Sequence, residues 1–366
     1  MGESTKLLFV RMENTQVGRL ALTPERLAVF EYDSEFLRSG YSISPFYLPL
    51  RSGLFQAERE PFEGNFGVFS DSLPDGWGNL LLDRYLTTQG IPLSSLSLLD
   101  RLSLIGASGM GALQYFPDQA IQAEDDSNDL NFLATEVEKV LSETRYSQHL
   151  KLLVDKGGSP GGARPKVLIH DQGTSWMVKF PAAFDPPDVG QVEYEFSRIA
   201  RKCGIAMPST RLFEGRHFGI ERFDRIGNQR VHMITASGLL NASHRFPSLD
   251  YLDLMKATFA LTKDIENCYS LFRLMVFNVL VGNRDDHAKN FSFIYINSAW
   301  KLSPAYDLAP NSGFNGNHST TVAGKGKPGK EHLFEVASQV DLQMKRVSEI
   351  YDEVYENCGD IRAVDW

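Results

Sequence analysis

The sequence predicts an α+β protein of two lobes, and three features of the chain carry this prediction. Residues 5–116 alternate short strand-like and helical stretches with many glycines, and residues 166–180 have the pattern of a hairpin. Residues 266–281 form a helix candidate that is apolar on nearly every face, which is typical of the interior of a large lobe. We therefore expect a strand-rich N-terminal lobe and a mainly helical C-terminal lobe.

The composition is that of a globular chain that buries a sizeable core, with 42% hydrophobic and 23% charged residues among 366. A chain of this length holds one large domain or two ordinary ones. The 37 Lys and Arg residues against 46 Asp and Glu residues give a net charge of −9. Because phosphate neutralisation needs a cationic face, this balance argues against a free-standing nucleic-acid binder.

The cysteines and the N-terminus indicate the compartment. Cys203, Cys268 and Cys358 lie far apart, which suggests neither a disulfide framework nor a zinc site and fits a reducing environment. Charged residues interrupt the N-terminus before a secretory apolar region could form, and no apolar run approaches the ~18 residues of a membrane span. We expect a cytoplasmic protein that has no membrane partner.

In chain order, the N-terminal stretch predicts strands at 6–11 and 27–32 and a helix at 78–86. The acidic segment 123–130 has no periodicity, so it is a candidate linker or exposed loop. A helix is expected after it, at about 131–146.

A glycine-rich turn at 157–165 feeds the two strands of the predicted hairpin, 166–170 and 176–180. A proline-rich loop, 181–191, follows the hairpin. Apolar residues then recur at helical spacing until Gly204, and further strand-like stretches lead to the buried helix.

The densest set of polar residues directly follows the buried helix, in the segment GNRDDHAKNF at 282–291. Loops that a rigid scaffold positions often carry function. Asp285 and Asn290 have the D-x-x-x-x-N spacing of the protein-kinase catalytic loop, in which the Asp accepts the proton of the substrate hydroxyl and the Asn holds magnesium. Asp307 is the expected second metal ligand. One Asn and one Asp are sufficient, because Mg²⁺ takes few protein ligands and completes its shell with phosphate and water oxygens.

Upstream residues complete the pattern of a protein-kinase-like fold. Lys179, in the middle of an apolar strand, would neutralise ATP phosphates, since a buried lysine is costly without an anionic partner. Glu193, on the buried side of the next helix, is its expected ion-pair partner. The loop 157–165 would approach the phosphates with backbone N–H groups. Glu221 and Phe223 would lie near the strand that connects the lobes, where an adenine could pair with the backbone.

Each of these residues also has an ordinary structural interpretation. A D-x-x-x-x-N spacing occurs often by chance, a strand lysine is usually a snorkelling edge residue, and a helical Glu is usually solvated. Asp286 and His287 fit turn and packing roles better than acid–base roles, although His287 could orient the loop. Asp307 could begin a turn, and the glycine loop could be a hairpin without a ligand. The order and spacing of all the features together favour the kinase interpretation.

With these residues in place, the sequence resembles the HipA family of serine/threonine kinases, the toxin halves of bacterial toxin–antitoxin pairs. The resemblance covers roughly residues 5–350 and is carried by six segments: SLPDGWGN (72–79), GMGALQYFP (109–117), SPGGARPK (159–166), ERFDR (221–225), GNRDDHAKNFS (282–292) and YD (306–307). It implies a HipA N-terminal subdomain at 1–120, the rest of the N-lobe with the ATP-binding loop at 121–245, and a helical C-lobe with the catalytic loop at 246–366.

The resemblance also implies roles for individual residues. Asp285 would be the catalytic base, Asn290 and Asp307 the magnesium ligands, Lys179 the phosphate-binding lysine, and Ser159 the autophosphorylation site. A phosphate on Ser159 adds about −1.5 to −2 charge, which would expel the loop from ATP and inhibit the kinase. The full set of candidate ATP-binding residues is Gly158, Ser159, Gly161, Gly162, Ala163, Lys179, Glu193, Glu221, Phe223, His287 and Lys289.

Finally, the resemblance implies cofactors and partners. The cofactors are ATP and Mg²⁺, and the substrate is a cytoplasmic protein such as an aminoacyl-tRNA synthetase, whose phosphorylation arrests translation and growth. The partner is a HipB-like helix-turn-helix antitoxin, through which the pair reaches DNA. Two other functions stay open at the level of the sequence: a nucleotide-binding scaffold or regulator without transfer, and a small-molecule kinase of the same superfamily.

Overall fold

The computed structural model of the chain describes residues 5–125, 127–142, 148–243, 246 and 248–361. The chain divides into two compact units. Unit 1 comprises Met1–Gln191 and Thr210–Met233, and unit 2 comprises Val192–Ser209 and Ile234–Trp366. The three-part division inferred from the sequence stays a prediction.

Unit 1 begins with a sheet of five antiparallel strands, β1 (Leu7–Met12), β2 (Thr15–Leu22), β3 (Ala28–Tyr32), β4 (Leu54–Gln56) and β5 (Leu113–Phe116). Their order across the sheet is β4-β3-β2-β1-β5. The helices of this part are α1 (Phe36–Ser39), α2 (Gly67–Ser70), α3 (Gly76–Thr88) and α4 (Leu98–Ile105). These bounds confirm the two strands and the helix that the N-terminal pattern predicts.

The second sheet of unit 1 contains the predicted hairpin. Two helices, α5 (Leu130–Leu141) and α6 (Leu150–Gly157), precede it. Its strands are β6 (Lys166–Asp171), β7 (Thr174–Lys179), β8 (Thr210–Phe213) and β9 (His217–Glu221), in the order β6-β7-β9-β8. A small hairpin, β10 (Arg225–Ile226) and β11 (Gln229–Arg230), follows. Alternate residues of β6 and β7 join a buried cluster with α5 and α6, so helices cover one face of the sheet.

The helix predicted at about 131–146 is wrong at its C-terminal end, because α5 stops at Leu141. Residues 143–147 lie outside the described residues. The start is fixed by Asp129, whose carboxylate accepts the N–H groups of Asn131 and Phe132. The sequence pattern does not reveal α6, since this helix has only 8 residues and runs directly into the glycine-rich loop.

Unit 2 is mainly helical. α7 (Val189–Lys202) continues into it from unit 1, and β12 (His232–Thr235) crosses the second boundary. Its other helices are α8 (Ala236–Leu240), α9 (Tyr251–Thr262), α10 (Ile265–Val281), α11 (Lys330–Gln339) and α12 (Met344–Cys358). The strand β13 (Leu249–Asp250) pairs with β16 (Thr320–Thr321), whereas β14 (Ser292–Ile296) and β15 (Ala299–Leu302) form a sheet with β12. Within the described ranges, no helix has the length and apolarity needed to span a membrane.

α10 is the buried helix that the sequence predicts. Asp264 caps its N-terminus by accepting the N–H of Glu266, and Gly282 ends it with a left-handed φ of +68°. Most of its side chains are buried, and it packs against α9 and α12. The helix holds the polar segment that follows it at a fixed place.

A buried ion-pair cluster joins the segments ERFDR and GMGALQYFP within unit 1. Oδ2 of the buried Asp224 lies 2.7 Å from Arg222 Nη2 and 2.8 Å from Arg225 Nη1. The Gly111 N–H donates to the same oxygen, and Arg225 donates to the carbonyl oxygens of Gly109 and Gly111 at 2.9 Å. Burial by itself raises the pKa of Asp224, but the two guanidinium groups outweigh it and lower that pKa. The charged carboxylate therefore ties together segments 113 residues apart.

Replacement of Asp224 by alanine should destabilise the protein strongly, because it leaves two buried guanidinium groups without their counter-charge. We expect a loss of roughly 3–5 kcal/mol in the free energy of unfolding, measured by urea denaturation. The matched control is Glu31→Ala, which breaks an exposed ion pair with Arg19 (2.9 Å) and should cost less than about 1 kcal/mol. Equal losses in the two variants would contradict the structural role of the cluster.

Candidate active site

The polar loop after α10 is held by its own turns. The Asn283 N–H donates to the Asn278 carbonyl at 2.9 Å, and the His287 N–H donates to the Asp285 carbonyl at 2.9 Å. A 3-10 turn follows at 288–290, and His287 caps it, since its Nδ1 accepts the N–H of Lys289 at 3.2 Å. This hydrogen bond agrees with the interpretation that His287 orients the loop. A contact of His287 or Lys289 with nucleotide stays a prediction.

Asp286 is fully buried and anchors the loop. Its Oδ2 accepts hydrogen bonds from the Tyr251 hydroxyl at 3.0 Å and from His318 Nδ1 at 2.9 Å. Its Oδ1 accepts the N–H groups of Ser319 at 2.9 Å and Thr320 at 3.2 Å. A buried carboxylate needs such partners, because unsatisfied polar atoms are costly away from water. The structure thus gives Asp286 the packing role that the sequence favours.

A further chain of hydrogen bonds runs from Asp286 to the segment of Asp307. Asn278 Nδ2 donates to the Tyr251 hydroxyl at 3.0 Å. Asn283 Nδ2 donates to Asn278 Oδ1 at 3.0 Å and to the Asp307 carbonyl at 3.4 Å. Burial, reinforced by the charge of Asp286, raises the pKa of Tyr251 well above its ordinary value. The Tyr251 hydroxyl therefore keeps the proton that it donates.

Hydrogen bonds in unit 2 hold the predicted catalytic loop, with Asp285 and Asn290, next to the segment that carries Asp307. Asp285 is exposed, whereas Asn290 and Asp307 are half-buried. Asn290 Nδ2 donates to the Asp285 carbonyl at 2.7 Å. Asp307 has a left-handed backbone with φ of +57°, and the hydroxyl of the preceding Tyr306 donates to the Lys289 carbonyl at 2.7 Å. Hydrogen bonds thus join the loop of Asp285 and Asn290 to the segment of Asp307.

These residues fit a magnesium ion chemically. The side-chain amide nitrogen of Asn290 donates to the Asp285 carbonyl, so the amide oxygen would be the ligand atom. Asp307 would contribute a carboxylate oxygen. Mg²⁺ prefers such oxygen ligands and keeps several water or phosphate oxygens besides them. In the part of the chain that the structure describes, no group of three or more His, Cys, Asp or Glu side chains could hold a metal ion.

In unit 1 the glycine-rich loop packs against the start of α3. Ser159 is only 4% exposed, and its hydroxyl donates to the Ser108 carbonyl at 3.1 Å. The Gly162 N–H donates to Asp75 Oδ1, and the Trp77 N–H donates to the Gly162 carbonyl at 3.1 Å. The Gly162 N–H, which the sequence predicts to contact phosphate, is therefore donated to a carboxylate in this conformation.

Close packing explains the glycines of the segment SLPDGWGN. A Cβ at Gly76 would lie 2.6 Å from Ala163 Cα, and a Cβ at Gly78 would lie 2.5 Å from the Gly158 carbonyl oxygen. Only residues without a side chain allow so close an approach of two backbones. The predicted ATP loop thus packs against this N-terminal segment, a contact that local sequence patterns do not indicate.

Two lysines face each other across the β6–β7 hairpin, since Lys166 and Lys179 are register partners. They lie on the face opposite the buried cluster, because the valines next to them belong to that cluster. Lys179 is the last residue of β7 and half-buried, which corrects its predicted mid-strand position, and its Nζ lies 5.6 Å from the Phe218 ring centroid. Lys166 is buried and donates to the Gly161 carbonyl. The sequence does not indicate this role of Lys166, since a lysine at the start of a strand is common.

The remaining predicted residues lie on well-defined elements. Glu193 is 4% exposed within α7, in agreement with its predicted buried face. It belongs to unit 2 and Lys179 to unit 1, so their ion pair stays a prediction. Glu221 ends β9, where it is the register partner of Trp176. The contact of Glu221 and Phe223 with adenine also stays a prediction.

The strands, the buried helix and the polar loop at its end define an α+β protein with the two-lobed, protein-kinase-like fold that the sequence predicts. Comparison with family models identifies the family. Residues 8–116 match the model of the HipA N-terminal domain, and residues 158–361 match the model of the HipA-like C-terminal domain. The chain belongs to the HipA family.

Individual relatives agree with this assignment. A protein of Sinorhizobium fredii named "Putative kinase Y4dM" is 26% identical over 384 residues, which cover 96% of this chain and 90% of the relative. A protein of Haemophilus influenzae named "Putative kinase" is 29% identical over 42% of this chain and 52% of its own length. The solved structure of HipA from Shewanella oneidensis MR-1, in complex with HipB and operator DNA, has a TM-score of 0.72 at 18% identity and covers 95% of this chain and 88% of that one. This likeness confirms the fold.

Tyr251→Phe should loosen the anchored loop, because it removes the hydroxyl that donates to Asp286 and accepts from Asn278. We expect a loss of about 1–3 kcal/mol in the free energy of unfolding, measured by chemical denaturation. Tyr355→Phe is the matched control, since Tyr355 is 43% exposed on α12. If both variants were as stable as the parent, the buried network would have no measurable role in the fold.

Proposed function

We propose that this protein is a serine/threonine protein kinase that uses ATP and Mg²⁺ and acts in the cytoplasm as the toxin of a HipA/HipB-like toxin–antitoxin system. Its proposed target is a protein such as an aminoacyl-tRNA synthetase, whose phosphorylation arrests translation and growth. One observation carries the proposal. The exposed Asp285 stands between a buried helix and the fully buried Asp286, and Asn290 is hydrogen-bonded to the Asp285 backbone.

The chemistry follows from this arrangement. The exposed Asp285 carboxylate would accept the proton of a substrate hydroxyl as that hydroxyl attacks the terminal phosphate of ATP. Asn290 and Asp307 would hold the metal, which when bound neutralises charge on the phosphates. Lys179 would add a fixed cation on the nucleotide side. Phosphoryl transfer depends mainly on positioning and charge neutralisation, so anchoring by Asp286 contributes directly to the reaction.

The relatives support the biological role. Two of them are named as kinases, and the HipA of similar fold was solved with HipB and operator DNA. We infer a HipB-like helix-turn-helix antitoxin as the partner of this chain. The net charge of −9 agrees with contact to DNA through that partner rather than directly.

We further infer that Ser159 is the autophosphorylation site and that its modification inhibits the kinase. In the packed loop the Ser159 hydroxyl donates to the carbonyl of Ser108 and has almost no exposed surface. A phosphate cannot occupy this place, because its negative oxygens would face a carbonyl oxygen without solvent. A modified loop would have to leave its seat on α3.

Asp285→Asn should lower phosphate transfer by a factor on the order of 10²–10⁴, since the amide cannot accept the hydroxyl proton. Transfer is measured with purified protein, Mg²⁺ and labelled ATP, both onto the protein itself and onto proteins of a bacterial lysate. Asp352→Asn, on the exposed side of α12, is the control and should keep full activity. Undiminished transfer by Asp285→Asn at an unchanged melting temperature would refute the assignment of Asp285 as the base.

Incubation of the parent protein with Mg²⁺ and ATP should add one phosphate at Ser159, located by peptide mass spectrometry. Ser159→Glu should weaken ATP binding by roughly tenfold or more, because the buried carboxylate expels the loop. Ser95→Glu is the matched control: Ser95 also donates to a backbone carbonyl, that of Pro92 at 2.7 Å, but it is exposed. Equal ATP affinity of the two variants would rule out control by this loop.

A further inference from the structure

A hairpin at 311–319 is joined directly to the catalytic loop. The Asn311 N–H donates to the Gly282 carbonyl at 3.0 Å, and the Ser319 N–H donates to the Arg284 carbonyl at 3.0 Å. Its tip is closed by the Asn317 N–H, which donates to the Phe314 carbonyl at 3.0 Å. The hairpin therefore has a fixed place beside Asp285.

This hairpin presents an aromatic side chain to solvent. Phe314 is 82% exposed, and its carbonyl accepts the hydrogen bond that closes the turn. Asn315 and Gly316 have left-handed φ values of +53° and +74°, as in the tight two-residue turns of hairpins. Gly313, with φ of +65°, lies so close to Arg284 that a Cβ would be 2.7 Å from the Arg284 Cβ. An aromatic side chain exposed to water on a hydrogen-bonded turn is typical of a contact surface for a partner.

Three cations lie on or next to this hairpin, since Lys325 and Lys327 flank Gly326, whose carbonyl accepts the His318 N–H at 2.8 Å. Arg284 packs under the hairpin, and Lys327 lies over its tip, with Nζ 3.1 Å from the position of a Cβ on Gly316. Lys325 closes a turn with Val322, with the two N–H···O distances both 3.0 Å. None of the three cations forms an ion pair with another described residue.

Most acidic groups of this region have partners other than the three cations. Asp286 is buried and fully hydrogen-bonded, and Asp285 and Asp307 belong to the proposed site itself. Asp250 accepts the Thr321 hydroxyl at 2.6 Å and the Gly324 N–H at 2.8 Å, whereas Glu331 is exposed at the start of α11. A chain of net charge −9 thus keeps a cationic surface next to its catalytic loop.

We propose that Phe314, Arg284, Lys325 and Lys327 form a docking surface for an acidic segment of the protein substrate that carries an apolar side chain near the phosphorylated serine or threonine. This inference rests on the proposed function, because it names the substrate class of the same site. The acidic segment pairs with the cations, and its apolar side chain covers the Phe314 ring. A nucleic acid fits less well, since three cations neutralise few phosphates and the rest of the chain is acidic.

Direct binding tests the surface without requiring catalysis. The full chain is titrated into a fluorescent peptide that contains one serine, one leucine and several glutamates, and into the same peptide with lysines in place of the glutamates. The double variant Lys325→Glu/Lys327→Glu should weaken binding of the acidic peptide by roughly tenfold, and Phe314→Ala should also weaken it. The control Lys256→Glu/Lys263→Glu makes the same charge change at exposed positions of α9 and its C-terminal end, and should stay within about twofold of the parent.

Kinetics then test whether the bound peptide is the substrate. The double variant should raise KM for the acidic peptide and leave kcat and ATP hydrolysis in the absence of peptide unchanged. Any one of three results would overturn the docking surface. These are a preference of the parent for the lysine peptide, equal binding of the acidic peptide by the double variant and its control, and binding of a labelled RNA oligomer in place of the peptide. If the parent binds the acidic peptide as expected but transfers no phosphate to any acceptor, the docking surface stands and the kinase assignment fails.

Discussion

The position of the polar loop after α10, the proposed catalytic loop, depends on the fully buried carboxylate of Asp286. It accepts four hydrogen bonds from two parts of the chain: α9 through Tyr251, and the contiguous residues His318, Ser319 and Thr320. Satisfying all four donors fixes the relative place of these parts, because each lost bond leaves a buried polar group. The exposed Asp285, the proposed base, directly precedes this anchored residue, and such a neighbour supplies the rigidity that a reacting group requires.

The elements that the sequence predicts correctly are those whose structure is determined by residues close together in the chain. α10 and its end at Gly282 follow from an unbroken apolar run, a capping Asp264 and a glycine suited to a left-handed φ. The placement of Asp285 and Asn290 on one loop follows from the five-residue spacing that separates them. The strands around Lys179 follow from β-branched and aromatic residues on either side of a tight turn. In each case the residues that decide the structure lie within a few positions of one another.

The rest of the molecule depends on partners that are distant in sequence. No spacing connects Asp224 with Gly111, 113 residues away, or Gly162 with Asp75, 87 residues away. The role of Lys166 depends on which carbonyl its ammonium reaches after the loop has folded. The end of α5 and the presence of α6 cannot be predicted from the sequence for a related reason. Short amphipathic helices are stabilised mainly by the core that they pack against, so their own sequence pattern is weak.

The hydrogen bond between Gly162 and Asp75 has a consequence for the energetics of the glycine loop. A single N–H serves one good acceptor at a time, so a phosphate oxygen at Gly162 must take the place of the Asp75 carboxylate. Asp75 is then an internal competitor of the nucleotide, present at a constant effective concentration because the start of α3 holds it. If the proposed ATP loop binds phosphate at Gly162, the affinity for the nucleotide is the difference between two anion contacts. The strength of the internal contact then sets the nucleotide concentration at which the loop exchanges its acceptor.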